Sequence, residues 1–217
     1  MMSYKIFCEG ITDQIFIADC ITVFYNFTYV IEHKKKDNLK ITFSNGIEII
    51  DVGGCTKLSD ELYLSLLEDN KDCGGTNIII FDADHKSTGK GNKGYESCLQ
   101  KLNDIKKNHN VEFIHYIWPN NSDDGIIENL LRKLIPNEKE TIYQCIESHH
   151  SCLSSLSIDN VRIAELKEKV GYYLYTVNQD SKPGKRNYKD SNYWDLDCNK
   201  IPDLLLFKTF LDIFFKN

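Results

Sequence analysis

One short stretch near the middle of the chain constrains the fold most. Residues 77–94 read NIIIFDADHKSTGKGNKG, and positions 78–81 hold only apolar side chains. A strand without polar alternation is typical of a parallel sheet that helices cover on both faces. The run closes on Asp82 and Asp84, which would share a face if the strand continued, at the strand end where open α/β sheets bind ligands. Two such carboxylates repel each other unless a cation lies beside them, which predicts a divalent metal site.

Strands and helical patterns alternate along the first part of the chain. An apolar strand over residues 4–8 precedes a helical pattern that runs from Ile15 to Phe24. The further elements are hairpin strands at 28–33 and 39–43, a strand in IEIIDVGG, helices at 57–67 and 95–107, and a strand in VEFIHYIWP. This alternation predicts an α/β fold with a mainly parallel, Rossmann-like sheet flanked by helices.

The length of the chain allows one sizeable core with an appendage. With 217 residues and 41% hydrophobic content, it can bury most of its apolar side chains. We predict a catalytic core over residues 1–135, in which 28–45 form a hairpin insertion. Residues 136–217 are predicted to form a mostly helical C-terminal extension packed on the core, with two helices, a polar basic loop and a last apolar helix.

Acidic residues follow three of the predicted core strands, each group at a carboxyl strand end. They are Glu9 and Asp13 after the first strand, Asp82 and Asp84 after the central one, and Asp123, Asp124 and Glu128 after VEFIHYIWP. We expect a helix to begin near Asp123 with Ser122 as its N-cap, which would place Asp124 and Glu128 on one helical face. Alternatively, Asp13 only balances a helix dipole and Asp123 is a solvated turn residue.

This order of acids carries a family resemblance. The sequence EGITD after the first strand, FDAD after a later apolar strand and a further acid beyond the next strand resemble the Toprim domain. The likeness is to the Toprim of OLD-type nucleases and of small single-domain bacterial Toprim proteins of unassigned function, over roughly residues 4–133. It implies Mg²⁺- or Mn²⁺-dependent phosphodiester chemistry on nucleic acid, as in a nuclease or nickase of anti-phage defence.

The resemblance also implies roles for individual residues. Glu9, Asp13 and Asp82 would hold one ion, while Asp84 and Glu128, with Asp124, would complete a second. Glu9 is left open between a metal ligand and a proton carrier in strand breakage. Catalysis would rest on Glu9, Asp82 and Asp84, with a lysine from beyond the acidic motifs, which we assign to Lys185.

Lys185 belongs to a basic stretch in an acidic protein. The segment SKPGKRNYKD carries Lys182, Lys185, Arg186 and Lys189, whereas the whole chain has a formal net charge of −6. One interpretation is a solvated surface turn. The other is a loop that reaches over the acidic strand ends and contacts the phosphate backbone of a nucleic acid, which the acids would otherwise repel. The lysine run at residues 34–36 is interpreted as a solvated turn.

Two other classes of function stay open. The first is a non-catalytic or partner-dependent Toprim regulatory module. The second is a phosphohydrolase similar to the haloacid dehalogenases, which also carry Asp-x-Asp, usually after their first strand and with Thr or Val two residues after the second Asp. Here Lys86 occupies that position and the motif lies in mid-chain, which counts against this alternative.

Partners and location follow from what the sequence lacks. No Walker-type loop is present, so an ATPase or other defence-system partner would be a separate chain. No stretch approaches the roughly 20 apolar residues of a membrane helix, and the N-terminus has no signal-peptide core, so we expect a cytoplasmic protein without a membrane contact. DNA is favoured over RNA as substrate, and a homodimer is allowed. The eight cysteines include no Cys-x-x-Cys pair and are predicted to be reduced, with Cys145, His149 and Cys152 as a less favoured zinc set.

Overall fold

A computed structural model describes residues 3–33, 39–88, 91–156, 158–177 and 185–216. These residues form a mixed α/β fold with one six-stranded sheet in the order β2-β3-β4-β1-β5-β6. The strands are β1 (Tyr4–Cys8), β2 (Tyr29–His33), β3 (Leu39–Phe43), β4 (Ile47–Asp51), β5 (Thr76–Asp82) and β6 (Ile114–Trp118). The helices are α1 (Ile11–Tyr25), α2 (Glu61–Asp72), α3 (Tyr95–His109), α4 (Ile127–Lys133), α5 (Glu140–Ser155), α6 (Leu166–Thr176) and α7 (Pro202–Phe215).

Four of the strands are parallel and form the centre and one edge of the sheet. β1 pairs in parallel with β4 on one side and β5 on the other, and β5 pairs in parallel with β6. The remaining strands, β2 and β3, form the antiparallel hairpin that extends the other edge through β4. The predicted mainly parallel sheet flanked by helices is therefore confirmed.

The two faces of the sheet carry separate apolar cores, as the uninterrupted apolar strands require. On β5, Ile78 and Ile80 pack on one face, with α1 and α4 to α7. Ile79 and Phe81 pack on the other face, with α2 and α3. Because both side-chain sets of β5 are fully buried, the strand has no solvent-facing side until it reaches Asp82.

Two helix predictions differ from the structure. The segment predicted as a helix over 57–67 begins as a short 3₁₀ turn at Cys55–Ser59, and α2 starts only at Glu61 and runs to Asp72. The second helix starts later than expected: α4 begins at Ile127, not near Asp123, because the SDDG sequence forms a turn in which Ser122 donates to Asn120 Oδ1. In the part of the chain that the structure describes, no helix has the length and apolar character to cross a membrane.

Candidate active site

The carboxyl ends of β1 and β5 lie side by side at one edge of the fold. Cys8 is the register partner of Ile80, so Glu9, which follows Cys8, lies next to the last residues of β5. Glu9 Oε1 accepts a hydrogen bond from the backbone N–H of Asp82 at 3.3 Å. The structure thus brings the acid after the first strand to the acid that closes the central strand, as the sequence predicted.

Asp82 is the last residue of β5 and points toward the start of α4. Its Oδ1 accepts the backbone N–H of Ile127 at 2.8 Å. Burial raises the pKa of the Asp82 carboxyl, and the charges of Asp13, Glu9 and Glu128 raise it further. The charges of three acids thus act on Asp82, and we call the four residues the acid set: Glu9, Asp13, Asp82 and Glu128.

Asp13 and Glu128 are the buried members of this acid set, with 5% and 3% of their surface exposed. Asp13 lies in the first turn of α1 but does not cap it, because its Oδ1 accepts a hydrogen bond from Trp118 Nε1 at 3.0 Å. Burial raises the pKa of Asp13, and Glu9 and Glu128 add to the shift. Burial also raises the pKa of Glu128, against the opposing charges of Lys167 and Arg186.

Asp84 occupies a different position from the one that strand periodicity predicts. β5 ends at Asp82, and Asp84 has a left-handed backbone (φ 59°) that exchanges two backbone hydrogen bonds with Gly125. The two aspartates therefore do not lie on one strand face. The Asp84 carboxylate turns to the following loop, where its Oδ2 accepts the N–H of Asn92 at 2.6 Å.

Asp123 and Asp124 lie outside the acid set. Asp124 Oδ1 accepts the backbone N–H of Tyr95 at the start of α3, and its Oδ2 lies 3.7 Å from Lys86 Nζ. Because α4 begins at Ile127, the expected helical face shared by Asp124 and Glu128 does not exist. Asp123 is exposed and binds Asn120, in agreement with its alternative as a solvated turn residue.

Glu9 is the member of the acid set with a pKa near neutrality. Burial and the charge of Asp84 raise the pKa of Glu9 to about 7, although the Asp82 N–H and the side chain of Asn92 favour its charged form. A carboxyl with this pKa can both hold and release a proton at neutral pH. The geometry thus keeps both sequence-derived roles of Glu9 open, metal ligand and proton carrier.

Sequence reasoning missed Asn92, a residue of the loop after β5. Its side chain is buried, with 2% exposed, and Nδ2 donates to Glu9 Oε1 at 3.2 Å and to the carbonyl of Asp82 at 2.6 Å. Its Oδ1 accepts from Lys101 Nζ at 3.1 Å. The only signal in the sequence is its place between two glycines in GNKG, a pattern that ordinarily indicates a solvated loop.

In the described part of the basic loop, Arg186 lies beside the acid set. Arg186 Nη1 donates to Thr12 Oγ1 at 3.4 Å and to the Tyr188 hydroxyl at 3.3 Å, and its charge acts on Glu128. Within the described residues, its Nε is buried without a hydrogen-bond partner. Lys189 instead forms an ion pair with Asp19, which is fully buried.

The other two lysines of the basic loop are Lys182 and Lys185. Lys185 is exposed, and Lys182, like the lysine run at 34–36, lies outside the described residues.

All-oxygen carboxylate donors suit Mg²⁺ or Mn²⁺, so the chemistry of the acid set fits the expected ion. Across the described ranges, however, no three His, Cys, Asp or Glu side chains stand close enough to hold a metal ion as they are, which applies to the alternative zinc set on α5 as well.

Comparison with known proteins places the chain in a family. Residues 3–216 match the family described as "Protein of unknown function (DUF3226)", and the chain belongs to that family. The crystal structure of hypothetical protein PH0156 from Pyrococcus horikoshii OT3 is similar, with a TM-score of 0.53 and 14% identity, over 98% of this chain and 95% of that one. At this identity the likeness concerns the fold alone. No curated protein matches the chain.

Proposed function

We propose that this member of the DUF3226 family is a divalent-metal-dependent enzyme that cleaves phosphodiester bonds of nucleic acid, DNA in the first place, with a Toprim-like site. The observation that carries the proposal is that Glu9 Oε1 accepts the N–H of Asp82 while the charges of Asp13, Glu9 and Glu128 all act on the Asp82 carboxyl, so that acids from three strand ends meet at Asp82. Repulsion between these acids destabilises the fold unless a cation binds beside them, which supports a metal site at the carboxyl ends of the strands.

Each acid has a proposed role that its contacts allow. Glu9, Asp13 and Asp82 would hold one ion, and Asp84 and Glu128 a second, while Asp124 is tied to the start of α3 and leaves the ligand set. A bound ion would activate water and stabilise charge on the leaving oxygen. In the alternative role, Glu9 would stay free of the ion, and its carboxyl, with a pKa raised to about 7, would take up or release a proton during the reaction.

The cationic side of the proposed site comes from the segment after α6. Arg186 stands against the acid set beside Thr12 and Tyr188, so it replaces Lys185 as our first choice for the residue that contacts the scissile phosphate. A guanidinium binds phosphate oxygens through two parallel N–H groups, which a single ammonium cannot do. Lys185 is exposed next to it and is assigned to the phosphate backbone further out.

Plasmid nicking tests the proposal. Purified protein with Mn²⁺ should convert supercoiled DNA to the nicked form, and Glu9→Gln and Asp84→Asn should each abolish this, since both keep shape and remove charge. Asp123→Asn is the matched control, because Asp123 lies in the neighbouring turn outside the acid set. Hydrolysis of a chromogenic phosphate monoester without nicking would instead support the phosphohydrolase alternative.

Partner-dependent activity has its own test. A separate ATPase or defence-system partner and a cytoplasmic location stay predictions of the sequence. If the chain alone binds Mn²⁺ but does not nick DNA, the regulatory-module alternative is favoured over the enzyme.

A further inference from the structure

The loop between β5 and α3 joins the acids through one residue, Asn92. Asn92 is the donor in each of these contacts: its Nδ2 serves Glu9 Oε1 and the carbonyl of Asp82, and its backbone N–H serves Asp84 Oδ2. The residues it joins lie after β1, at the end of β5 and beyond it. The side-chain amide holds Glu9 and the backbone N–H holds Asp84, so this one residue links the two carboxylates.

Lys101, on α3, determines which way the amide of Asn92 faces. Its ammonium lies 3.1 Å from Asn92 Oδ1 and 3.0 Å from the carbonyl of Gly91. An ammonium can only donate hydrogen bonds, so the amide oxygen must face Lys101. The NH₂ group must then face Glu9 and the Asp82 carbonyl, both of which can only accept when Glu9 is charged.

The backbone of the loop is shaped for this contact. Gly91 has a φ of 58°, and a Cβ at its position would lie 1.9 Å from Asp84 Oδ2. No residue with a side chain fits there without moving Asp84. The glycine therefore lets the loop approach closely enough for the N–H of Asn92 to reach the carboxylate.

We propose that Asn92, oriented by Lys101, is a positioning residue of the site that holds Glu9 and Asp84 in place for a divalent cation. This inference rests on the proposed function. Asn92 acts through the acids and does not itself contact the reacting atoms. Groups that orient the ligands of a metal typically change its affinity about 10- to 100-fold when they are removed.

The affinity of the protein for Mn²⁺, measured from the electron paramagnetic resonance signal of free Mn²⁺, tests this role. Asn92→Ala should lower the affinity by about 10- to 100-fold. Asn92→Leu keeps a side chain of similar size without a donor or a charge, so it should not restore wild-type affinity. Lys101→Met removes the partner that orients the amide, and also a positive charge that acts on Glu9 and whose loss alone would favour a cation. A lower affinity in this variant would therefore support the orienting role, and a higher one would contradict it.

Asn70→Ala is the matched control, since Asn70 is a second buried asparagine with 4% exposure, bonded to Asn77 at the opposite end of β5. It should lower the melting temperature of the metal-free protein and leave Mn²⁺ affinity unchanged. Wild-type affinity in Asn92→Ala or Asn92→Leu, or an equal loss in Asn70→Ala, would overturn the positioning role and leave the proposed function standing. If the Asn92 variants do not fold, Lys101→Met decides by the same criterion. Absence of Mn²⁺ binding by the wild type would overturn the proposed function itself.

Discussion

The two ends of β5 differ in how their buried polar side chains are compensated. At its start, Asn77 donates to the carbonyls of Leu67 and Glu112 and accepts from Asn70, so neutral groups satisfy one another. At its end, Asp82 lies among like charges that raise its pKa. One strand thus carries a polar cluster that stabilises the fold and another that costs stability, and the second is where selection for a function is expected.

The largest effect is expected at the neutral end. Asn77→Ala removes one buried amide and leaves two carbonyls and Asn70 without their partners, which should lower the free energy of unfolding by about 3 kcal/mol. Chemical denaturation measures this. Mn²⁺ affinity should stay at the wild-type value, and a loss of affinity would mean that the two ends of β5 are coupled.

Two cations of the basic loop differ in the same way: Lys189 forms a buried ion pair, whereas Arg186 has a proposed role at the site. Lys189 pairs with the buried Asp19, which also accepts from the Tyr29 hydroxyl and the N–H of Tyr188. Lys189→Met should therefore lower the free energy of unfolding by about 2 kcal/mol, because it leaves a buried charge with fewer partners. Its effect on the salt dependence of DNA binding should be nil, and a changed salt slope would show that Lys189 also meets phosphate.

The charged end should respond in the opposite direction. Asp82→Asn removes one of the repelling charges and keeps the oxygen that accepts from Ile127. In metal-free buffer the variant should be more stable than the wild type by about 1 kcal/mol. Thermal denaturation with and without Mn²⁺ checks this: the variant should lose the metal-induced rise in melting temperature, and a less stable metal-free variant would show that the acids do not strain the fold.

The smallest effect concerns DNA affinity at the cationic side of the site. Neutralising Lys185 and Arg186 together should reduce the slope of log affinity against log salt concentration by roughly one unit for each lost phosphate contact. Fluorescence anisotropy with a labelled duplex at several salt concentrations measures the slope. An unchanged slope would mean that the loop is ordinary surface, and the lysines at 34–36 would be the next to test.

The sequence predicted the parts of the fold that depend on short-range apolar patterns. The strand over 78–81 was predicted because all its side chains are apolar, and burial on both faces is typical of a parallel sheet. The strands over 4–8 and 39–43 were also predicted from short apolar patterns, and 39–43 pairs antiparallel with both of its neighbours. The convergence of Glu9 and Asp82 followed from that sheet without any further information.

The details of the site depended on contacts that no local pattern contains. Asp84 leaves the strand because its backbone pairs with Gly125, and α4 starts late because SDDG forms a turn. Asn92 could not be found, since a polar residue between glycines is buried here only through its contacts with four residues of the tertiary structure, Asp84, Glu9, Asp82 and Lys101. Arg186 was predicted as one of four loop cations, but which of the four meets the acids is decided by packing on Thr12 and Tyr188.

Calorimetric titration with Mn²⁺ tests directly whether the acids at the carboxyl ends of the strands form a divalent-metal site. The wild type and the double variant Asp82→Ala, Asp84→Ala should be compared under the same conditions, with Asp123→Asn as control. We expect a saturable heat of binding for the wild type and the control, and none for the double variant. Equal heats from the wild type and the double variant would contradict it.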